Sequence, residues 1–158
     1  DLPAQCTLVP DSNAQLTSDH GFDLRADGPR LESIVRELKQ LGVRVSLFMD
    51  PDEAQIKLAQ ELGADRIELY TGPYADACLA GKQVDETLAR FSHASAFASS
   101  IGLGVNAGHD LNLDNLDRFR QALPDLLEVS IGHAFTVDCI ALGLRAAVAA
   151  YQRCLGKD

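Results

Sequence analysis

Val105-Asn106-Ala107-Gly108-His109-Asp110 and, further on, Ser130-Ile131-Gly132-His133-Ala134 decide how this chain reads. In each, a short apolar strand runs directly into a glycine followed by a histidine. That is the arrangement expected where a barrel strand ends in a catalytic or anion-holding loop. Two such ends on consecutive strands point to one phosphate-binding site.

Outward from these stretches, strands and helices alternate. Gln5-Cys6-Thr7-Leu8-Val9-Pro10 reads as a strand, and the polar, turn-rich run from Asp11 to Pro29 is too long for an idle connection, which makes it a candidate functional loop. Leu31, Ile34, Val35, Leu38 and Leu41 fall on one helical face, which Gly42 ends as a C-cap. After a strand from Val43 to Met49, Asp50-Pro51-Asp52-Glu53 starts a helix with a capping aspartate (Asp50), proline at the first helical position and a glutamate three residues after the cap. Arg66-Ile67-Glu68-Leu69-Tyr70 is the next strand, leading into a loop at Thr71-Gly72-Pro73-Tyr74-Ala75-Asp76. A long helix follows from about Asp85 to Ile101, with Leu88, Phe91, Ser95, Ala98 and Gly102 near one stripe. A strand from Leu103 to Asn106, a helical face at Leu116, Phe119 and Leu123, a last strand from Leu127 to Ile131 and an alanine-rich helix from about Val137 to Leu155 complete the order.

Five such alternations predict an α/β fold with a parallel sheet. Functional residues at strand C-termini suit a doubly wound sheet and a (β/α)8 barrel alike. No GxGxxG follows any strand, which weakens the dinucleotide-binding reading, whereas a TIM barrel holds phosphate on the loops after its last two strands, where Gly108-His109-Asp110 and Gly132-His133 fall. A closed barrel needs eight units and about five are present.

The 158 residues, 46% of them hydrophobic, suffice for a single core. A net charge of −9 argues against nonspecific binding to nucleic acid or to an acidic membrane, so any anionic ligand must be held locally by backbone amides, helix N-termini and a few histidines. Cys6, Cys78, Cys139 and Cys154 form no CxxC pair and no zinc-like spacing, which favours a reduced, cytoplasmic setting, with Cys139 and Cys154 as small apolar residues of a helix. Neither a signal peptide nor a membrane-spanning apolar run is evident. The abrupt start, without methionine and directly before a strand, raises the expectation of a missing N-terminal portion.

Among residues able to do chemistry, strand alternation turns Glu68 away from Ile67 and Leu69, into the lumen of a barrel. An ionisable group there is costly unless used or paired, so it is either functional, or bonded to a lumen Lys or Arg, or turned to solvent at a strand end. His109 could give or take a proton at neutral pH, or merely bond a neighbouring carbonyl; His133 suits phosphate contact and carries the same alternative. His93 falls on the polar face of a long helix, and His20, Thr17 and Ser18 lie in the long loop, where hydroxyls can serve a sugar phosphate or simply a turn.

The strings Leu8-Val9-Pro10, Gln15-Leu16-Thr17-Ser18-Asp19-His20-Gly21-Phe22-Asp23, Val45-Ser46-Leu47-Phe48-Met49-Asp50, Ile67-Glu68-Leu69-Tyr70-Thr71-Gly72, Val105-Asn106-Ala107-Gly108-His109 and Ile131-Gly132-His133-Ala134 together resemble the pyridoxine 5′-phosphate synthase family, in order and over the whole chain. The resemblance implies that residues 1–158 are the C-terminal part of a single (β/α)8-barrel domain, strands four to eight. It implies an enzyme that joins 1-deoxy-D-xylulose 5-phosphate to 3-amino-2-oxopropyl phosphate, releasing phosphate and water as the pyridine ring closes. By the same resemblance His109 matches the proton donor, Glu68 the transition-state stabilising glutamate and Thr17 a contact to the deoxyxylulose phosphate. Gly132 and His133, with the position of Asp110, match the cradle of the aminoketone phosphate. Asp110 departs from the glycine that some members carry there, so its backbone amide rather than its carboxylate is the expected phosphate contact.

Such a condensation needs proton transfers and no redox step, so histidines and carboxylates suffice without metal or organic cofactor. Asp11 to Pro29 or Thr71 to Lys82 could form a lid. The expected partners are small phosphorylated substrates and further copies of the chain, with no nucleic acid and no membrane. The family's Asn-x-Asp-His segment, its His-x-Arg-x-x-Arg-Arg-His segment and the glutamate of its third strand do not occur here. The alternative is therefore a catalytically incomplete fragment or split-barrel subunit that binds phosphate or a partner chain.

Overall fold

A computed structural model describes residues 1–11 and 17–157. Residues 12 to 16, with Gln15 and Leu16 of the quoted loop string, lie outside the described residues. The elements are β1 (Gln5–Leu8), α1 (Leu24–Gln40), β2 (Arg44–Met49), α2 (Glu53–Glu61), β3 (Arg66–Tyr70), α3 (Gly72–Ala80), α4 (Val84–Ser100), β4 (Gly104–His109), α5 (Leu116–Ala122), β5 (Leu126–Ile131), α6 (His133–Leu142) and α7 (Leu144–Cys154). All neighbouring strands pair in parallel and their spatial order is their chain order, the topology of an arc of a (β/α)8 barrel. The expected α/β fold with five strands of a barrel is the one found.

The period-two alternation of strand side chains divides this sheet into two chemically different faces. Val45, Leu47, Met49, Ile67, Leu69, Val105 and Ala107 are fully buried, in one core with Leu31 and Val35 of α1, Ile56 of α2, Phe91 and Ala98 of α4 and Phe119 of α5. The opposite parity, followed through the register, brings together Thr7, Ser46, Phe48, Arg66, Glu68, Tyr70, Asn106, Gly108, Glu128 and Ser130. The inner face is thus polar, and the apolar driving force for folding sits on the helix side.

Several boundaries differ from the sequence reading, each for a local reason. Helix α1 starts at Leu24, where the Asp23 side chain accepts from the Arg25 N–H, so Pro29 lies inside the helix instead of ending the loop. The proline forfeits one helical hydrogen bond and the cap offsets it. In α2 the capping residue is Asp52, whose side chain accepts from Ala54 and Gln55; Asp50 lies before the cap. The expected loop at Thr71 is the start of α3: Pro73 occupies the first turn, where its missing N–H costs nothing. Tyr74 is fully buried against Phe91 and Phe119 and donates to the Asn115 carbonyl at 2.9 Å. The stretch from Thr71 to Lys82 is therefore packed structure, not a lid. The C-terminal helix is two helices, divided at Gly143 with φ 82°. All four cysteines are free and half-buried. Among the described residues no helix is long and apolar enough to cross a membrane.

The loop before α1 is fastened to the end of β2. Phe22 N–H donates to the Phe48 carbonyl at 2.9 Å, and Gly21 approaches so closely that a Cβ would stand 2.1 Å from the Asp50 nitrogen. This close approach, which only glycine permits, carries Thr17 and Ser18 toward the C-terminal ends of the strands.

Candidate active site

Glu68 stands mid-strand on the inner face, level with Phe48 and Asn106, and is 7% exposed. Room for its carboxylate is made by Gly108 on β4, since a Cβ there would lie 2.3 Å from Glu68 Oε1. Burial pushes the Glu68 carboxyl above its ordinary value of 4.5; bonds from Thr7, at 3.3 Å, and Ser130 oppose the shift, and the charge of Glu128 reinforces it. Arg66 does not pair with Glu68. Its guanidinium donates to Asn106 Oδ1 at 3.0 Å and to Glu128 Oε2 at 3.1 Å, nearer the N-terminal end of the sheet. Of the readings of a lumen carboxylate, a bond from Arg66 is thereby removed.

His109 ends β4 with φ 99°, a left-handed conformation that is costly for a residue with a Cβ. By alternation it belongs with Ala107 on the helix-covered face. Instead its ring packs 5.7 Å from Tyr70 and 6.3 Å from Phe48, both inner-face residues, and 6.4 Å from His133. Its Nδ1 is 3.2 Å from Asp110 Oδ2, and its Nε2 is 2.8 Å from the Thr17 hydroxyl. A carboxylate can only accept, so the contact assigns the proton to Nδ1 and leaves Nε2, when the ring is neutral, to accept from Thr17.

Gly132 is the N-cap of α6 and His133 its first residue. A cleft of about 410 Å³ is bounded by Glu68, His109, Ser130, Ile131, Gly132 and His133. The expected convergence of Glu68 and His109 on one cavity at the strand C-termini is therefore what the fold produces. Gly132 and His133 thus bring the N-terminus of α6 to the same cleft, and a helix N-terminus is a favourable environment for an anion.

The remaining candidates fall differently. The Asp110 amide, expected to face phosphate, donates to Thr71 Oγ1 at 3.3 Å, while its carboxylate serves His109. Ser18 is buried and donates to Asp11 Oδ2 at 2.9 Å. His20 contacts Asp19, and His93 is exposed on α4. Thr7, Thr71, Asn106 and Glu128 were not among the sequence candidates. Inner-face parity was the available signal for Thr7, Asn106 and Glu128; nothing in the local sequence marks Thr71. Among the described residues no group of three or more His, Cys, Asp or Glu side chains is placed to hold a metal ion.

The family model described as "Pyridoxal phosphate biosynthesis protein PdxJ" matches residues 2–157. The pyridoxine 5′-phosphate synthase of Albidiferax ferrireducens is 52% identical over 153 residues, covering 97% of this chain and 60% of the relative. That of Xanthomonas axonopodis pv. citri is 54% identical over 149 residues, covering 94% and 58%. The Xanthomonas oryzae pv. oryzae proteins of the same name are 53% identical over the same shares. The chain spans about three fifths of the length of the curated relatives it matches.

Proposed function

The chain belongs to the PdxJ family of pyridoxal phosphate biosynthesis proteins, and we propose that its cleft is one part of the active site of a pyridoxine 5′-phosphate synthase. The carrying observation is the meeting of Glu68, His109, Gly132 and His133 at one end of the sheet. In this reading 1-deoxy-D-xylulose 5-phosphate and 3-amino-2-oxopropyl phosphate condense there in a cytoplasmic homo-oligomer.

Each residue has a task suited to its surroundings. Forming a carbon–nitrogen bond between amine and ketone and then expelling water and phosphate requires protons to be given to departing oxygens and taken from carbon and nitrogen. No electrons are exchanged with an outside acceptor, so acid/base groups suffice and no cofactor is called for. His109, with Nδ1–H turned to Asp110, keeps Nε2 on the cleft side, where the Thr17 hydroxyl bonds it until substrate takes that place, and it is the proton donor when doubly protonated. Glu68, whose burial favours the neutral carboxylic acid, donates a hydrogen bond to oxygen or, once ionised, balances positive charge developing on nitrogen. The first turn of α6, with Gly132 and His133, takes the aminoketone phosphate, and Thr17 contacts the deoxyxylulose phosphate.

Calorimetric titration with each substrate tests the division of the site. His133→Ala should weaken binding of the aminoketone phosphate more than that of the deoxyxylulose phosphate, and equal losses would refute the assignment. In the chain extended by the residues its relatives carry beyond the match, His109→Asn should lower kcat by ~100-fold or more. The other reading, a phosphate-binding piece without turnover, is favoured by the outer edges of β1 and β5, which are unpaired among the described residues. It predicts binding in both chains and product in neither.

A further inference from the structure

The ring of His109 reaches the cleft only because the backbone at that residue departs from strand geometry, and the departure has an identifiable cause. Thr71, fully buried at the end of β3, donates its hydroxyl proton to the Gly108 carbonyl at 2.7 Å. The same oxygen accepts the Asp110 N–H at 3.3 Å. One hydroxyl thus bonds the peptide groups on both sides of His109, spending its single proton on one and a lone pair on the other. The Thr71 N–H adds a second bond to the Gly108 carbonyl at 3.2 Å. Beyond the turn, Asn115, itself buried, donates from Nδ2 to the Asp110 carbonyl at 3.3 Å. Without these partners, continued alternation would turn His109 to the side of Ala107, away from Tyr70 and the cleft.

We propose that Thr71 is a positioning residue for His109, its hydroxyl holding the left-handed turn that brings the imidazole onto the inner face. This rests on the reading of His109 as the proton-transferring group. The hydroxyl acts without touching substrate, and what it fixes is the direction of the ring. A misplacement of about 1 Å at a reacting group can cost on the order of 100-fold in rate.

Thr71→Ser keeps the hydroxyl, whereas Thr71→Ala and Thr71→Val remove it, and Val preserves the volume. In the chain labelled for NMR, the Asp110 amide should exchange slowly in wild type and in Thr71→Ser. It should exchange ~10-fold faster, measured against the amides of β3, in Thr71→Ala and Thr71→Val. The ring 13C and 15N resonances of His109 should move in the same two variants alone. In the extended chain, kcat should fall ~100-fold with KM nearly unchanged, and Thr71→Ser should restore it. A wild-type Asp110 amide exchanging at the free-peptide rate overturns the proposal whether or not any variant folds. So does a Thr71→Ser protein as impaired as Thr71→Ala. Should the resonances and exchange behave as stated while His109→Asn retains full turnover, His109 is not the proton-transferring group, and the clamp itself stands.

Discussion

At the scale of single residues, Glu68 and His109 show how the same sheet presents two groups by opposite means. Glu68 obeys alternation and is desolvated by it, and the consequence is a testable pH dependence. Because its carboxyl is held above 4.5 in the folded protein, the native state binds a proton that the unfolded chain has released, once the pH exceeds that value. Its contribution to stability is therefore full below 4.5 and is lost as pH rises through the folded-state value. Glu68→Gln should have a flatter profile over that window and be the more stable of the two above it; urea unfolding of both proteins from pH 4 to 8 measures this. A wild-type minus variant difference independent of pH would mean that the buried carboxyl is not strained by its surroundings. Parity made Glu68 legible in the sequence. It could not do so for His109, where parity names the wrong face and only the glycine-histidine signature marks the site. The turn that corrects it depends on Thr71, a residue of another strand end, so no local pattern carries it.

At the scale of elements, apolar periodicity identified the five strands and most of the helices, because each must bury one face against the sheet. The errors fell where turn-forming residues serve inside helices. Pro29 and Pro73 read as loop residues, yet the one sits beyond a cap at Asp23 and the other in the first turn of α3. Conversely, Gly143 lies within an alanine-rich run that reads as continuous, and its φ of 82° divides α6 from α7. The displaced cap of α2 separates the two readings quantitatively. Asp52 accepts from two backbone N–H groups of the first turn, at 2.8 and 3.1 Å, while Asp50 contributes only its carbonyl, to the Asp52 N–H. Asp52→Ala should cost about 1 kcal/mol in chemical denaturation. Asp50→Ala should cost less, and the reverse order would restore Asp50 as the cap.

At the scale of the molecule, charge decides what this chain can do by itself. Both proposed substrates are phosphorylated, and the chain carries a net charge of −9. Of the described inner-face residues, Arg44 and Arg66 supply the fixed positive charge, and both stand at the N-terminal ends of their strands, remote from the cleft. Arg44 is turned to Gln5, and Arg66 is engaged with Asn106 and Glu128. In the proposed site the first turn of α6 takes one phosphate, and the other would meet Glu68 and Asp110 with no guanidinium to offset them. Among the described residues the outer edges of β1 and β5 are unpaired, so the sheet is an open arc and water competes for polar contacts at its ends. For the proposed reaction, a second phosphate-holding group and a further wall of the cavity have to be added to those of these 158 residues. The expected result is that the purified chain binds inorganic phosphate weakly, with an affinity that falls as salt is raised, and forms no product from the two substrates. The same chain joined to the additional residues of a relative should form pyridoxine 5′-phosphate. An assay of both proteins by product formation separates the possibilities: turnover by the chain alone, at a rate comparable with the extended protein, would show that the backbone dipoles and histidines of this half-barrel suffice to hold both phosphates.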